Sequence, residues 1–280
     1  MRNKNIDFEE LARELDISPT MHKYAVERYR GLSDYLQEKG INAKFYPQGS
    51  FRTGTVVRPL VNGVESDYDI DVVCELDTVK SETAPQYVKQ VVGAAISEDK
   101  TYRDKLLPED SRCWTLQYAD VVDTIGLKLD VVPSSHEDAE RIRHLIELGI
   151  EQEQASQAIV ITEKRGTNSY FWLPSNPGGY GDWFDGINDR FLKENIAEKK
   201  AAFFRENRHL FAAMASVEDV PDYYLRTTLQ RVIQILKRHR DLFYERSDKT
   251  GKLKPASVII TTLAAQIARS SPSTRLDDLL

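Results

Sequence analysis

Apolar and polar positions first predict two consecutive helices near the start of the chain. Residues 8–38 have helical character, and the pair Ser18-Pro19 interrupts them. Proline is tolerated in the first turn of a helix but not in its interior. The pattern therefore predicts a short helix followed by a long one over residues 19–38, which ends at Gly40, a residue type common just past helix ends.

Strand patterns follow the two helices. Residues 67–76, DYDIDVVCEL, alternate at first and are then continuously apolar, as expected for a buried strand. Residues 84–97 have helical character. Further strands are predicted at residues 42–46, 115–118, 121–124 and 126–132. Several strands with flanking helices favour an α+β domain to about residue 175.

The last third of the chain is helical in pattern. Residues 176–181, NPGGYG, are the best candidate boundary, which gives predicted domains of residues 1–175 and 176–280. Residues 223–244 predict an amphipathic helix, and residues 256–269 predict another helix after Pro255. The apolar stripe of the first helix comprises Leu225, Leu229, Val232, Ile233, Leu236 and Phe243.

Composition indicates a globular protein of 280 residues, 41% hydrophobic and 29% charged. The N-terminus is too charged to resemble the apolar region of a signal peptide. Residues 257–268, the longest apolar stretch, fall short of the ~20 residues that a membrane span requires. We therefore expect a cytoplasmic protein that is not inserted in a membrane. Cys74 and Cys113 match no metal-ligand spacing and are predicted to be buried free thiols. The chain ends at LDDLL without a clear stop, consistent with a further C-terminal segment.

The net charge of −6 is unevenly distributed. Residues 190–254 contain fifteen Lys and Arg against nine Asp and Glu, a balance of +6, so the other residues carry −12. An acidic chain is a poor candidate for binding long nucleic acid, which depends on many phosphate contacts. An acidic site together with a basic surface suits metal ions and a small anionic ligand; solvated helix faces are an equally simple explanation of the basic segment.

The main chemical feature is Asp69-Ile70-Asp71 in the predicted strand. Residues two apart on a strand point to the same face, so both carboxylates project together and repel each other unless a cation lies between them. Oxygen ligands of this kind favour magnesium or manganese. An Asp-x-Asp pair alone is often only a solvated strand edge. Asp67 continues the alternation, but it lies outside the apolar run and is interpreted as the polar entry to the strand.

A third carboxylate strengthens the hypothesis of a metal site. Asp130 interrupts the apolar strand LKLDVV, where an uncompensated charge is costly. Sharing a metal pair with Asp69 and Asp71 would compensate it. The alternative is a buried salt bridge, for example with Lys128.

The fourth element is the Gly-Ser turn in QGSFRTGT, which follows a predicted strand. Gly49 allows the backbone to approach a phosphate closely, and Ser50 adds a hydroxyl donor. The P-loop pattern is absent, and a lone Gly-Ser is unspecific. Its value lies in preceding Asp69 by 19 residues.

In this order, a Gly-Ser turn, Asp-x-Asp and a later aspartate resemble the DNA polymerase β superfamily of nucleotidyltransferases. A closer resemblance is to the CD-NTases, the bacterial relatives of cyclic GMP–AMP synthase and oligoadenylate synthase, over roughly residues 15–270. It rests on the segments GSFRTGTVV, SDYDIDVVCEL, KLDVVP, SNPGGYGDWF, LQRVIQILKRHRD and KPASVIITTL.

The resemblance implies a polymerase-β-like lobe and a helical lobe with a nucleoside triphosphate in the cleft between them. It implies that Asp69, Asp71 and Asp130 are catalytic and hold two Mg²⁺ ions, for which Mn²⁺ can substitute. Gln48 and Ser50 match positions that contact the donor nucleotide. From the helical lobe, the positions that contact the triphosphate are matched by Lys237 and Ser257.

Residue patterns alone leave the roles of four side chains open. Lys237 is either at a cleft or a solvated lysine, and Arg240 is either the partner of a carboxylate or a snorkelling side chain. Tyr180 and Trp183 could stack on a base but are more typical of core anchors.

The implied reaction joins nucleoside triphosphates without a template into a cyclic di- or trinucleotide and releases pyrophosphate. The product would activate a downstream effector in bacterial anti-phage signalling, and a regulatory protein partner fits this scheme. The alternatives are a related nucleotidyltransferase that acts on RNA or on a small-molecule acceptor, and a catalytically inert nucleotide-binding domain.

Overall fold

A computed structural model of the protein describes residues 8–61, 63–122, 125–193, 196–207, 217, 224–247 and 252–280. The helices are α1 Phe8–Arg13, α2 Pro19–Glu38, α3 Gly49–Arg52, α4 Pro85–Glu98, α5 Lys100–Arg103, α6 Ala139–Glu147, α7 Gln152–Ala155, α8 Pro177–Lys193, α9 Ile196–Glu206, α10 Thr228–Ser247, α11 Ser257–Ser270 and α12 Leu276–Leu279. The strands are β1 Ala43–Pro47, β2 Leu60–Val61, β3 Val64–Glu65, β4 Tyr68–Val79, β5 Trp114–Val122, β6 Ile125–His136, β7 Ile159–Arg165 and β8 Ser169–Ser175. The predicted α+β class is confirmed.

The chain forms two compact units, which are described separately. The sheet unit comprises residues 21–51 and 59–183. The helical unit comprises the described parts of residues 1–20, 52–58 and 184–280. The division into domains of residues 1–175 and 176–280 stays a prediction.

The sheet unit is built on a six-stranded mixed sheet with the order β1-β4-β6-β7-β8. Strands β4 and β6 are parallel, and the other pairings in this sheet are antiparallel. Strand β5 pairs with the first part of β6, up to Val131, and β7 pairs with its last three residues, Ser134 to His136. Strand β6 therefore has β4 along one edge and β5 followed by β7 along the other.

Burial explains the predicted pattern of β4. Tyr68, Ile70 and Val72 are buried on one face at alternating positions, and every residue from Val72 to Leu76 is buried. The strand therefore begins with one face accessible and becomes covered on both faces. Helix α4 packs against β6, β7 and β8 and contributes the buried side chains of Val88, Val92 and Ile96.

Helix α4 also fixes the beginning of β5. The ammonium group of Lys89, a fully buried side chain, donates hydrogen bonds of 3.0 Å to the carbonyl oxygens of Asp110 and Cys113. The indole N–H of Trp114 donates to the carbonyl oxygen of Lys89 at 2.9 Å. Burial lowers the pKa of Lys89 to about 8. These three bonds hold residues 110–114 against the helix.

In the helical unit, α10 is only partly the helix that the sequence predicts. Leu229, Val232 and Ile233 are buried as predicted, and so is Leu225, which precedes the helix. The predicted stripe is wrong at its end, because the side chains of Leu236 and Phe243 are exposed. The buried side of the helix is continued instead by polar residues, namely Gln230, Gln234 and Lys237.

Most elements predicted between residues 8 and 98 are confirmed within one to three residues, and Gly40 has the positive φ of a helix end, 84°. The strands predicted at 115–118 and 121–124 are a single strand, β5, with residues 123 and 124 outside the described residues. The first position of the helix predicted at 223–244, Tyr223, is also outside them, and the described helix starts at Thr228.

The segment NPGGYG is the beginning of α8. Pro177 is the first helical residue, and the side chain of Asn176 accepts a hydrogen bond from the backbone N–H of Gly179 at 2.9 Å. An Asn cap followed by Pro is a common helix start. The two glycines therefore do not form a linker.

Both cysteines are buried and free, as predicted. None of the helices in the described ranges is long and apolar enough to cross a membrane.

Replacing Gly93 with alanine should destabilise the protein, because the new Cβ would collide with the indole ring of Trp114. Overpacking of this kind costs about 1–3 kcal/mol. Gly186→Ala is the matched control: no described atom lies within 4 Å of its Cβ position on α8, so alanine should stabilise the helix by up to about 1 kcal/mol. In urea denaturation, the midpoint of Gly93→Ala should be lower than that of wild type, and the midpoint of Gly186→Ala should be higher. Equal midpoints for the two variants would contradict the packing of α4 on Trp114.

Candidate active site

The parallel pairing of β4 and β6 brings the three predicted aspartates together. The Cα of Asp71 is the register partner of Asp130, and that of Asp69 is the partner of Lys128. Register partners on neighbouring strands project from the same face, and residues two apart on a strand share a face. Asp69, Asp71 and Asp130 therefore lie on one face of the sheet, opposite the face that carries Ile70.

Burial and mutual repulsion both disfavour the charged form of two of these carboxyl groups. The pKa of Asp71 is raised to about 6, mainly by burial and further by the charges of Asp130 and Asp69. The pKa of Asp69 is also raised, first by burial, although the ammonium group of Lys128 acts in the opposite direction. The site thus concentrates negative charge in a partly buried place where a cation would relieve it.

Asp130 has a hydroxyl partner. The side-chain oxygen Oγ1 of Thr115 donates a hydrogen bond to Oδ1 of Asp130 at 2.5 Å. The salt bridge with Lys128 that we considered from the sequence is thus not needed to explain how this carboxylate is accommodated. Sequence reasoning missed Thr115, which carries no local signal because its partner lies 15 residues away in the chain.

Asp67 has a structural role, consistent with its interpretation as the entry to the strand. It precedes β4 and accepts hydrogen bonds from the side chain of Gln117 at 2.9 Å and from the backbone N–H of Gly126 at 3.1 Å. Its carboxylate therefore ties together the beginnings of β4 and β6 and the middle of β5.

The Gly-Ser turn lies directly against Asp71. The backbone N–H of Gln48 donates to the carbonyl oxygen of Asp71 at 2.9 Å. Gly49 has a φ of 61°, and a Cβ at this position would lie 3.3 Å from Oδ2 of Asp71. Both the left-handed conformation and the close approach favour glycine. Ser50 follows in the first turn of α3.

Lys237 and Ser257, the remaining predicted site residues, are in the helical unit. Lys237 is buried and donates to the side-chain oxygen of Thr55 at 2.8 Å and to its carbonyl oxygen at 3.1 Å. Its pKa is lowered to about 8, mainly by burial and then by the charge of Arg240. The open choice for Lys237 between a cleft and solvent is therefore resolved against a solvated lysine; its contact with a triphosphate stays a prediction.

Arg240 has a carboxylate partner, which is one of the two alternatives left open by the sequence. It forms an ion pair with Asp241 at 2.6 Å. It also donates to the carbonyl oxygen of Pro255 at 3.0 Å and to Oγ of Ser257 at 2.9 Å. Ser257 is the first residue of α11, so Arg240 fixes the start of that helix to α10.

Two glutamines of α10 were not predicted as important. Gln230 donates to the carbonyl oxygen of Thr53 at 3.0 Å, and Gln234 donates to that of Val56 at 2.7 Å. Together with Lys237, they hold the segment that directly follows α3. Their signal in the sequence is three polar residues at helical spacing beside an apolar stripe, which is equally typical of a solvated flank.

Tyr180 and Trp183 contact each other on α8, with ring centroids 5.3 Å apart. Both are half-buried, whereas Phe184 and Phe191 on the same helix are fully buried. The phenylalanines are thus the main core anchors of α8, and stacking of the other two aromatics on a base stays a prediction.

The donor chemistry of the three aspartates fits a hard divalent cation, because carboxylate oxygens are the ligands that Mg²⁺ and Mn²⁺ prefer. A nearby positive charge would stabilise the charged form of Asp71 in particular, because burial and two neighbouring carboxylates raise its pKa. Among the described residues, no three His, Cys, Asp or Glu side chains converge as a ready metal site. The carboxylates would therefore have to turn toward a shared ion to bind it.

Comparison with protein families identifies the same region. Residues 43–128 match the nucleotidyltransferase domain of the family described as cyclic GMP–AMP synthase DncV-like. The matched segment includes the Gly-Ser turn, Asp69 and Asp71, and Asp130 lies two residues beyond its end.

The chain is also similar to two characterised bacterial proteins. It is 27% identical to the cyclic dinucleotide synthase CdnG of Bradyrhizobium diazoefficiens, over 97% of this chain and 60% of that protein. It is 27% identical to a c-di-GMP synthase of Roseivirga ehrenbergii, over 88% of this chain and 55% of that protein. The chain thus spans less than two thirds of the length of these relatives.

The fold agrees with that of a solved relative. The structure of the Bradyrhizobium diazoefficiens CD-NTase CdnG in complex with GTP superimposes with a TM-score of 0.69 at 25% identity, covering 98% of this chain and 72% of that one. The predicted fold is therefore confirmed over nearly the whole chain.

Replacing Asp71 with asparagine should stabilise the metal-free protein at neutral pH. Above pH 6 the buried carboxyl group is charged in both the folded and the unfolded state, so its burial costs folding free energy on the order of 2 kcal/mol. Below its ordinary pKa of 3.8 the group is neutral in both states and the cost vanishes.

Asp71→Asn should therefore raise Tm by about 5 °C above pH 6. This increase in Tm should disappear as the pH falls from 6 to 4. Thermal melts in EDTA over this pH range measure it. Asp77→Asn, an exposed carboxylate on the same strand, should show no such gain. A pH-independent difference for Asp71→Asn would contradict the raised pKa.

Proposed function

We propose that this chain, which belongs to the CD-NTase family of DncV-like nucleotidyltransferases, joins nucleoside triphosphates without a template into a cyclic dinucleotide. The observation that carries the proposal is the register of β4 and β6. It aligns Asp71 with Asp130 on the face that also carries Asp69, with the Gly-Ser turn against Asp71. This is a site for a polyanionic substrate and its cations.

The similarity to the two bacterial relatives reduces the number of candidate substrates. One relative is named as a c-di-GMP synthase, and the superimposable CdnG structure contains GTP. We therefore assign GTP as the first substrate to test, with the other purine nucleotide, ATP, as the next candidate. The overall reaction converts two nucleoside triphosphates into one cyclic dinucleotide and two pyrophosphates.

Each bond-forming step attaches a ribose hydroxyl oxygen to an α-phosphorus and breaks the bond from that phosphorus to the bridging oxygen of the β-phosphate. Asp130 is the residue that we assign to accept the hydroxyl proton. Asp69 and Asp71 would orient the reacting groups through the cations that they hold. The main requirement of phosphoryl transfer is positioning with charge neutralisation, and a cluster of carboxylates that binds cations meets it.

Asp69, Asp71 and Asp130 are the residues that would hold two divalent cations, Mg²⁺ or Mn²⁺. When bound, these ions would neutralise the phosphate charge and lower the pKa of the attacking hydroxyl. The raised pKa of Asp71 supports this assignment, since it identifies a carboxylate that is poorly accommodated without a cation.

For the nucleotide itself we assign Gln48, Gly49 and Ser50 in the sheet unit and Lys237 and Ser257 in the helical unit. The positive φ of Gly49 supports a backbone that can approach a phosphate. The lowered pKa of Lys237 indicates a buried ammonium group that an anion would stabilise. In this scheme, residues 1–175 form the catalytic lobe and residues 176–280 the helical lobe.

The product would act as a signal through a separate effector in anti-phage defence, in the cytoplasm, and a regulatory protein could control its synthesis. Two alternatives predict different products. An enzyme that modifies RNA or a small molecule requires that acceptor, and an inert domain binds nucleotide without turnover. A mixture of nucleoside triphosphates alone therefore distinguishes the three.

The decisive assay incubates the protein with all four nucleoside triphosphates and Mg²⁺ or Mn²⁺, followed by phosphatase and mass spectrometry. We expect a phosphatase-resistant cyclic dinucleotide. The variant Asp69→Asn/Asp71→Asn should lower its yield at least about 100-fold, because it removes cation ligands that act as one unit. Asp77→Asn, on the same strand, should retain activity within about twofold.

Thermal stabilisation by GTP and Mg²⁺ is measured in parallel. Stabilisation of wild type without any product would favour the inert domain or a missing acceptor. A product that persists in the double variant would remove the three aspartates from the mechanism.

The Gly-Ser turn provides an independent test. Gly49→Ala should lose most of the thermal stabilisation by GTP and Mg²⁺, because the new Cβ is strained and crowds Asp71. Gly149→Ala is the matched control, since Gly149 has a φ of 91° but no described atom within 4 Å of its Cβ position. Both variants should lose about 1 kcal/mol of stability from the left-handed conformation. Equal nucleotide responses in the two would argue against a role of the turn.

A further inference from the structure

We propose that Thr115 is a positioning residue for Asp130, which it holds in the orientation required for cation binding. The inference rests on the proposed function, since it concerns the same carboxylate cluster. It adds a residue that neither the family motif nor the sequence pattern singles out.

The sheet register places Asp130 between two neighbours. Along one edge of β6, Asp130 is the partner of Asp71 on β4, and along the other edge it is the partner of Thr115 on β5. The three side chains project from the same face, because register partners on adjacent strands share a face. A carboxylate at this position can thus turn one oxygen toward the hydroxyl and the other toward the aspartates.

The hydrogen bond from Thr115 determines which oxygen of Asp130 faces the hydroxyl and which faces the aspartates. The hydroxyl hydrogen of Thr115 is donated to Oδ1 of Asp130 at 2.5 Å, which leaves Oδ2 as the oxygen available to a cation near Asp71. The Thr115 oxygen also lies 3.6 Å from Sγ of Cys113, whose single thiol proton has a second acceptor in Oδ1 of Asp110 at 3.8 Å. A hydroxyl that donates to one oxygen of the carboxylate limits the rotation of that carboxylate.

The donor itself is held rigidly. Threonine is β-branched, which restricts its χ1 angle on a strand. The backbone immediately before it is fixed by the buried ammonium group of Lys89, which binds the carbonyl oxygens of Asp110 and Cys113. The position of Oγ1 is therefore set by the core rather than by a mobile side chain. This is the arrangement by which residues behind a metal ligand raise its affinity for the metal.

The test measures Mn²⁺ binding by electron paramagnetic resonance in the presence of a non-hydrolysable GTP analogue. Thr115→Val keeps the size and branching but removes the donor, and should raise the Kd for Mn²⁺ about 10–100-fold. Thr115→Ser retains the hydroxyl and should remain within about threefold of wild type. Should Thr115→Val fail to fold, Thr115→Ala carries the same expectation.

Thr162→Val is the matched control for the chemical change. Thr162 is on β7 of the same sheet and is fully buried, and among the described residues its hydroxyl has no hydrogen-bond partner. Its replacement should leave Mn²⁺ binding unchanged. A purely structural role for Thr115 would lower Tm in metal-free buffer without changing the Kd of the folded protein.

The outcomes separate this inference from the proposed function. Wild-type protein that binds Mn²⁺ with the analogue, together with a Thr115→Val variant of equal affinity, would overturn the positioning role alone. Wild-type protein that binds no Mn²⁺ under these conditions would overturn both. A loss in Thr115→Val that Thr115→Ser does not share establishes the role of the hydroxyl.

Discussion

The parallel pairing of β4 with β6 is the interaction on which the candidate site depends. Its register aligns Asp71 with Asp130, and a slip of one residue would send one of the two carboxylates to the opposite face of the sheet. The register is determined by the apolar residues that follow each aspartate. Val72 and Val73 on β4 pair with Val131 and Val132 on β6, and all four are buried. The hydrophobic core therefore specifies the position of the polar site next to it.

The alignment of Asp71 with Asp130 lowers the folding stability of the metal-free protein. Two carboxyl groups on adjacent strands repel each other, and burial raises the pKa of Asp71 to about 6. Local conflicts with folding are typical of functional sites, where the rest of the structure maintains them. Two contacts stabilise this part of the sheet: Asp67 ties the beginnings of β4 and β6 to the middle of β5, and the buried Lys89 fixes the start of β5. A salt bridge within the fold would have offset this repulsion, whereas the proposed cations would do so only when they are bound.

The sequence alone predicted the two strands that carry the three aspartates, because the signals of these strands are local. Alternation around Asp69 and an isolated Asp130 in an apolar run are visible within ten residues. Thr115 was missed because a hydroxyl on a strand is ordinary and its partner is known only once β5 pairs with β6. The glycines of residues 176–181 suggested a domain boundary, whereas Asn176 and Pro177 in the same segment carry the signal of a helix start. Long-range pairing and competing local signals therefore limited the prediction.

Helix α10 illustrates a second kind of long-range constraint. The segment that follows α3 has no helix or strand of its own over residues 53–59, so its carbonyl groups need other partners. Gln230, Gln234 and Lys237 supply them from one side of α10, at spacings of four and three residues that place them on adjacent turns. The apolar stripe cannot continue there, because apolar side chains would leave these carbonyls unsatisfied. Because the polar side of the helix faces this loop, Leu236 on another side of the helix is exposed.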